Sequence, residues 1–173
     1  LFGSYYCGAT VININPMYKA REIEDLLIDS EAEYIFVLDK FYSELEPCIK
    51  KSNLKKIIIC KINDLLNPFM KFLVPIIMLY KKQSVSIKNN NNIIYFKDII
   101  SNNFGYEDVY VESDHIALLQ YTGGTTGKSK AAILSHRNLI ANVQQVSNWI
   151  EPHIKPGEEI IITACLLYTS PSP

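Results

Sequence analysis

The sequence lacks the features that mark several common protein classes. Its 173 residues include only four cysteines, and 17 basic residues against 18 acidic ones leave a formal net charge of −1. The cysteines form no Cys-x-x-Cys pair and lie far apart, at Cys7, Cys48, Cys60 and Cys165. This spacing argues against a structural zinc site or a disulfide framework. Without a basic excess, there is no electrostatic case for a nucleic acid partner. We therefore expect a globular protein of the reducing cytoplasm.

No apolar run reaches the roughly twenty residues that a membrane-spanning helix needs. The run FMKFLVPIIMLY at 69–80 has twelve residues and is interrupted by Lys71 and Pro75. It predicts a buried helix or, because Lys81 and Lys82 follow it, an interfacial segment that meets anionic headgroups. The first residues carry no basic region typical of a signal peptide. Because the chain does not start with methionine, we expect it to begin downstream of the native start.

Apolar strands alternate with amphipathic helical segments in the first half of the chain. The predicted strands are ATVININ at 9–15, YIFVL at 34–38 and KIIICKI at 56–62. Between the first two, Ile23, Leu26 and Leu27 fall on one helical face. The segment FYSELEPCIKKS predicts a second helix, against which Pro47 counts. A strand and a short helix are also predicted from IIYF and KDIISNN. This alternation predicts βαβ units in one α/β domain with a parallel sheet.

The residues best suited to binding a ligand are concentrated between Ile116 and Ile150. An apolar run ends at Tyr121 and is followed by TGGTTGKSK, residues 122–130. Glycines permit positive φ, so that successive N–H groups can point at one anion, and threonine hydroxyls and lysines add donors and charge. We interpret this segment as a phosphate-binding loop rather than a flexible turn between two strands. The next residues, AAIL, predict a strand, and Ser135 is a suitable N-cap for a following helix.

A Walker A loop is one interpretation of this segment. Its pattern, G-x-x-x-x-G-K-[ST], is matched by Gly127, Lys128 and Ser129. However, the first glycine of the pattern would fall on Thr122. A Walker loop also runs directly into a helix whose N-terminus binds phosphate, whereas a predicted strand intervenes here. Both departures count against this interpretation.

The segment YTGGTTGKSKAAILSH resembles the phosphate loop of the adenylate-forming, AMP-binding enzymes, whose pattern is roughly [YF]-T-[SG]-G-T-T-G-x-x-K-G. The resemblance covers residues 1–164. Within it, FGSYYCGATVININPMYKAREIEDLLIDSEAEYIFVL and LSHRNLIAN are similar to the bacterial long-chain fatty acyl-CoA ligases. Ala131 stands where the family usually has glycine, and a positive φ at this position would be strained.

The resemblance implies both a fold and an activity. The fold is α/β, with residues 1–168 forming part of a large N-terminal domain. Its mostly parallel sheet is flanked by helices, and an antiparallel strand pair surrounds the phosphate loop. The family pattern breaks at CLLYTSPSP, so we expect residues 169–173 to be a non-native or disordered tail. The implied activity of the full-length parent converts a long-chain fatty acid to acyl-adenylate and then to acyl-CoA, with ATP, Mg²⁺ and coenzyme A.

The resemblance also assigns nucleotide-binding residues. They are Tyr121, Thr122, Gly123, Gly124, Thr125, Thr126, Gly127 and Lys130. His136 is expected either to act near this site or to pack at a helix start, while His115 and His153 are expected at the surface. Asp39, at a strand end, is expected to bind a ligand or cap a helix, the second being favoured. No catalytic residue or metal ligand is assigned.

The remaining segments of the family pattern are missing from the chain. We find no adenine-binding aromatic-Gly-x-[ST]-E segment, no ribose-binding T-G-D segment and no C-terminal domain with its lysine. We therefore expect the chain alone to be inactive. The expected partners are small molecules, with a possible peripheral contact on the cytoplasmic face of a membrane. Two alternatives stay open: a Walker-type NTPase, and a non-catalytic nucleotide-binding fragment.

Overall fold

The computed structural model describes residues 2–61, 87, 91–102, 105, 107, 109–122 and 130–150. The chain divides into two compact units. Unit one contains Leu1–Asn13 and Glu107–Pro173, and unit two contains Ile14–Tyr106. Each unit has its own three-stranded sheet within the described residues. The predicted segments at 69–80 and 169–173 lie outside the described residues, as does His153.

Unit two is built on a parallel sheet, as predicted. Its strands are β2 (Tyr34–Leu38), β3 (Lys56–Cys60) and β4 (Ile93–Tyr95), in that order across the sheet. Phe36 pairs with Ile58, which pairs with Ile94. The continuous apolar sequence of β3 is explained by burial on both faces, since Ile57, Ile58 and Ile59 are all buried.

The core of unit two lies between this sheet and α2 (Ala20–Ser30). The predicted face of α2 is confirmed, because its buried residues are Ile23, Leu26 and Leu27. The second predicted helix is divided into a 3₁₀ turn (Asp39–Phe41), α3 (Tyr42–Leu45) and a longer 3₁₀ helix (Glu46–Lys51). Pro47 stands at the start of this last segment, where its missing N–H is tolerated. The predicted short helix is α4 (Phe96–Ser101).

Unit one contains the antiparallel strand pair that the resemblance implied. Strand β5 (Ile116–Thr122) pairs with β6 (Lys130–Ser135) in antiparallel orientation and with β1 (Val11–Ile12) in parallel. Helix α1 (Phe2–Tyr6) precedes β1, and α5 (His136–Ile150) follows β6. None of the helices in the described ranges has the length and apolar character needed to cross a membrane.

Strand β1 is shorter than the seven residues predicted. It ends at Ile12, and the chain turns soon afterwards. The Asn15 side chain accepts a hydrogen bond from the N–H of Met17, and the Asn15 carbonyl accepts one from the N–H of Tyr18. Asparagine competes for backbone hydrogen bonds in this way and favours turns over strands.

Candidate functional site

The two ends of the glycine- and threonine-rich segment are held together by β5 and β6. Thr122, the last residue of β5, pairs directly with Lys130, the first residue of β6. The Thr122 hydroxyl also donates a hydrogen bond of 3.3 Å to the Lys130 carbonyl oxygen. The segment 123–129 therefore connects two residues, Thr122 and Lys130, that are paired with each other at the end of the strand pair. Of the eight predicted site residues, Tyr121, Thr122 and Lys130 are described, while the five at 123–127 lie outside the described residues.

The three described site residues divide between the two faces of the sheet. Tyr121 is 4% exposed and shares a face with the pair partner Ala131. Thr122 and Lys130 lie on the opposite face, because successive side chains in a strand alternate. Tyr121 therefore serves to anchor the strand end by burial. Of these two residues, Thr122 has its hydroxyl engaged with the Lys130 carbonyl, so the Lys130 ammonium group is the polar group that remains available.

Lys130 has a positive charge that no carboxylate neutralises within the described part of the chain. The ion pairs there join Lys19 with Glu44, Lys51 with Glu24, Lys55 with Glu33, and Arg137 with Asp114. Lys130 itself is exposed. An unpaired ammonium group beside a glycine-rich loop is suited to binding an anion such as phosphate.

The start of α5 argues against a Walker A site. The six residues of β6 stand between the last loop residue and this helix, and they span about 20 Å at roughly 3.4 Å per residue in an antiparallel strand. The first N–H groups of α5 also have partners in the protein. The N–H of His136 donates to the His115 carbonyl at 3.1 Å, and that of Arg137 to the Ser113 carbonyl at 2.8 Å. The helix N-terminus is thus occupied and lies at the other end of β6 from Lys130, where the loop joins the strand.

The Ser135 N-cap is confirmed in detail. The N–H of Asn138 donates to the Ser135 hydroxyl oxygen at 3.3 Å, and the Asn138 side-chain oxygen accepts from the Ser135 N–H at 2.9 Å. This reciprocal arrangement is a capping box in which asparagine takes the place of the usual glutamate or glutamine. It fixes the point at which β6 changes into α5.

His136 lies at the opposite end of the strand pair from the loop. Its ring contacts Tyr5 edge-on at 5.5 Å between centroids and is stacked on His115 at 6.3 Å. Its Nε2 is buried without a hydrogen-bond partner among the described residues. This geometry supports the packing interpretation of His136 and not a role beside the loop. His115 is exposed, as predicted.

The other assignments concern Asp39 and metal ions. The Asp39 carboxylate accepts a hydrogen bond of 2.8 Å from the N–H of Lys40, but the N-cap position of this 3₁₀ turn is Leu38 and no side chain caps it, so the predicted capping role of Asp39 is wrong. Within the described ranges, no three His, Cys, Asp or Glu side chains are grouped so that they could hold a metal ion.

One residue beside the loop was not singled out by the sequence. Gln120 lies within the apolar run of β5, two residues before Thr122, and therefore on the same sheet face as Thr122 and Lys130. Its position diagonal to Lys130 is visible only once the strand register is known, whereas the face that it shares with Thr122 follows from the strand itself. The period-two alternation of β5 is the signal that could have indicated it.

Comparisons with known proteins agree with this geometry. The chain is 37% identical over 172 residues to the long-chain-fatty-acid–CoA ligase of Escherichia coli O157:H7, covering 97% of the chain and 30% of that protein. It is 38% identical over 159 residues to the enzyme of the same name from Haemophilus influenzae, covering 89% of the chain and 28% of that protein. The chain thus spans less than a third of these relatives.

Solved structures and a family profile give the same result. The crystal structure of a long-chain-fatty-acid-CoA ligase from Archaeoglobus fulgidus superposes with a TM-score of 0.60 at 27% identity, over 84% of this chain and 24% of that one. The profile of the AMP-binding enzymes matches residues 1–170. With this profile match over residues 1–170, and with a strand rather than a helix following its glycine-rich loop, the chain belongs to the AMP-binding enzyme family.

Proposed function

We propose that the parent of this chain activates a long-chain fatty acid with ATP and transfers the acyl group to coenzyme A. The observation that carries the proposal is the Thr122–Lys130 pair, which closes a Gly- and Thr-rich loop beside an ammonium group that no carboxylate of the described residues neutralises. The names of the two relatives reported above support the choice of acid and thiol. Because the chain spans about 30% of those relatives, the activity is assigned to the parent.

The proposed reaction has two steps. A fatty acid carboxylate is a poor acyl donor because its leaving group would be oxide. In the first step a carboxylate oxygen attacks the α-phosphorus of ATP, and the bond to pyrophosphate breaks. In the second step the thiol of coenzyme A attacks the acyl carbon and loses its proton, and AMP leaves with the electrons of the acyl–oxygen bond.

The role of the candidate site is to bind the phosphates that leave. We assign the β- and γ-phosphates of ATP to residues 122–127 and Lys130, while Tyr121 holds the end of β5 by burial. Charge at Lys130 stabilises pyrophosphate as it departs, and preorganised donors of this kind contribute a few kcal/mol to a barrier. Mg²⁺ accompanies ATP and shares the phosphate charge.

The exchange of labelled pyrophosphate into ATP tests this assignment in the full-length parent. In the proposed register Lys130→Ala removes a charge-assisted contact and lowers fatty-acid-dependent exchange by about ten- to a hundredfold. Ser129→Ala is the matched control and leaves exchange nearly unchanged, because position 129 is variable in the family pattern. In a Walker site Ser129 would ligate Mg²⁺, so loss of exchange in Ser129→Ala with full activity in Lys130→Ala would reject our register.

We further propose a peripheral contact between the parent and the cytoplasmic face of a membrane. The support is the apolar run at 69–80 followed by Lys81 and Lys82, together with a substrate that partitions into bilayers. Co-sedimentation with anionic vesicles should fall when Lys81 and Lys82 are changed to Glu, and neutral vesicles are the control. Equal binding of both variants to anionic vesicles would remove the electrostatic part of the proposal.

A further inference from the structure

Three residues form a polar strip on one face of the strand pair: Gln120, Thr122 and Lys130. Thr122 and Lys130 are directly opposite each other, and Gln120 is opposite Ala132. Gln120 and Lys130 are therefore diagonal neighbours on the same face. Diagonal neighbours in antiparallel strands are about 7–8 Å apart, which long side chains can span.

Gln120 is an unusual residue for its position. It stands in a mainly apolar strand between Leu119 and the buried Tyr121, and it is itself half-buried. Its side-chain nitrogen donates to the Tyr121 carbonyl of its own strand at 3.3 Å, beyond the usual hydrogen-bond length. This contact uses one donor of the amide, and no hydrogen bond to the amide oxygen is formed within the described part of the chain. Burying an amide group is costly unless its hydrogen bonds are made.

The neutral amide has a chemical advantage over a carboxylate beside Lys130. A carboxylate would orient the ammonium group but also neutralise the charge that binds phosphate. An amide oxygen accepts one of the three ammonium protons and leaves the charge intact. Lys130 takes part in no ion pair within the described part of the chain, so this charge is still available.

We propose that Gln120 is a positioning residue whose side-chain oxygen accepts a hydrogen bond from Lys130 Nζ when a nucleotide polyphosphate is bound. The hydrogen bond directs the ammonium group toward the phosphates. Gln120 thus acts through Lys130 and contributes no charge of its own. This inference rests on the proposed nucleotide-binding function of the loop.

A double-mutant cycle in the full-length parent tests the inference, with fatty-acid-dependent pyrophosphate exchange as the readout. Gln120→Leu should lower kcat/KM for ATP about tenfold, as expected for a hydrogen bond to a charged group. In the Lys130→Ala background the same change should have no further effect. The matched control Gln144→Leu alters an exposed glutamine of α5 and should leave exchange unchanged. Equal effects of Gln120→Leu in both backgrounds would overturn the inference.

A carboxylate variant separates positioning from a merely structural role. Gln120→Glu should raise the KM for ATP at neutral pH more than Gln120→Leu does, because the ionised carboxylate competes with phosphate for Lys130. The difference should shrink as the pH falls toward the ordinary glutamate pKa of about 4.3. A pH-independent difference would contradict the inference. Absence of exchange in the unaltered parent would instead reject the proposed function, so the two failures are distinguishable.

Discussion

At the scale of single residues, Cys48 shows how the core of unit two responds to pH. Its thiol is buried, and its Sγ donates to the Ala20 carbonyl at 3.0 Å. Burial is the main cause that raises the pKa of Cys48 above its usual value. Burial, assisted by Glu46, likewise raises the pKa of Tyr42. A raised pKa in the folded state favours the neutral thiol and phenol in the native core.

The first prediction is a loss of stability at alkaline pH. The contribution of the neutral Cys48 thiol to the free energy of unfolding is complete below the thiol pKa of the unfolded state, about 8.5. It is lost as the pH rises through the higher thiol pKa of the folded state. Urea unfolding followed by circular dichroism should therefore show stability falling above about pH 9. Cys48→Ala should be less stable at pH 7, through lost packing, but should decline less steeply with pH. Parallel declines in the two proteins would contradict this explanation.

The second prediction concerns Ala131, where the resemblance raised the question of strain. Glu31 is the one non-glycine residue with positive φ in the described ranges, so Ala131 adopts a strand conformation without that strain. Ala131→Gly should therefore loosen β6 by about 0.5–1 kcal/mol instead of relaxing it. Faster amide hydrogen exchange in β5 and β6 would be the expected result. Slower exchange would indicate that the alanine is strained after all.

At the scale of elements, the start of α2 depends on a neighbouring segment. The first N–H groups of α2 lack a capping side chain at Lys19, which is a poor N-cap type. The Glu44 carboxylate from α3 instead accepts from the Ala20 N–H and the Lys19 ammonium group, both at 3.2 Å. A carboxylate at this end also interacts favourably with the helix dipole. Glu44 therefore caps α2 across the tertiary structure.

The third prediction follows from this contact. Glu44→Ala should destabilise the first turn of α2 by about 1 kcal/mol, a typical value for loss of an N-cap. Amide hydrogen exchange at residues 20–23 should become faster. Glu33→Ala is a suitable control, because the Glu33–Lys55 pair is exposed and lies outside the helix start. Equal acceleration in both variants would show that Glu44 is not a specific cap.

The elements also show which features the sequence could predict. Strand β2 was predicted with its observed bounds, and the buried face of α2 follows directly from apolar residues spaced three and four apart. The prediction of one continuous helix after β2 was wrong in detail, because Pro47 and local 3₁₀ geometry divide this segment. Alternation along β5 puts Gln120 on the face of Thr122, but its proximity to Lys130 requires the pairing with β6, a long-range contact that no local pattern contains. Likewise, the capping role of Glu44 depends on tertiary packing.

At the scale of the whole molecule, the exposed apolar surface of unit one has a measurable effect. On α5, Ile140, Val143 and Val146 form an apolar stripe and are 55%, 66% and 47% exposed. Contiguous exposed apolar surface promotes association. The fourth prediction is that the isolated chain associates in a concentration-dependent manner in sedimentation experiments.

Paired substitutions on α5 test the cause of this association. Val143→Lys with Val146→Glu should reduce association without changing the net charge. Gln144→Lys with Gln145→Glu places the same charges on the polar side of the helix and is the control. If both pairs reduced association equally, the apolar stripe would not be its cause.

The division of unit one along the chain has a consequence for biosynthesis. Val11 of β1 pairs with Leu118 of β5, and the 93 residues of unit two, 14–106, are synthesised between them. At about 5–20 residues per second, β1 waits roughly 5–20 s for its partner strand. Unit two has all its residues about ten residues before β5 begins, a lead of roughly 0.5–2 s at the same rate. We therefore expect unit two to fold first on the ribosome, while β1 is a natural binding target for chaperones until β5 emerges.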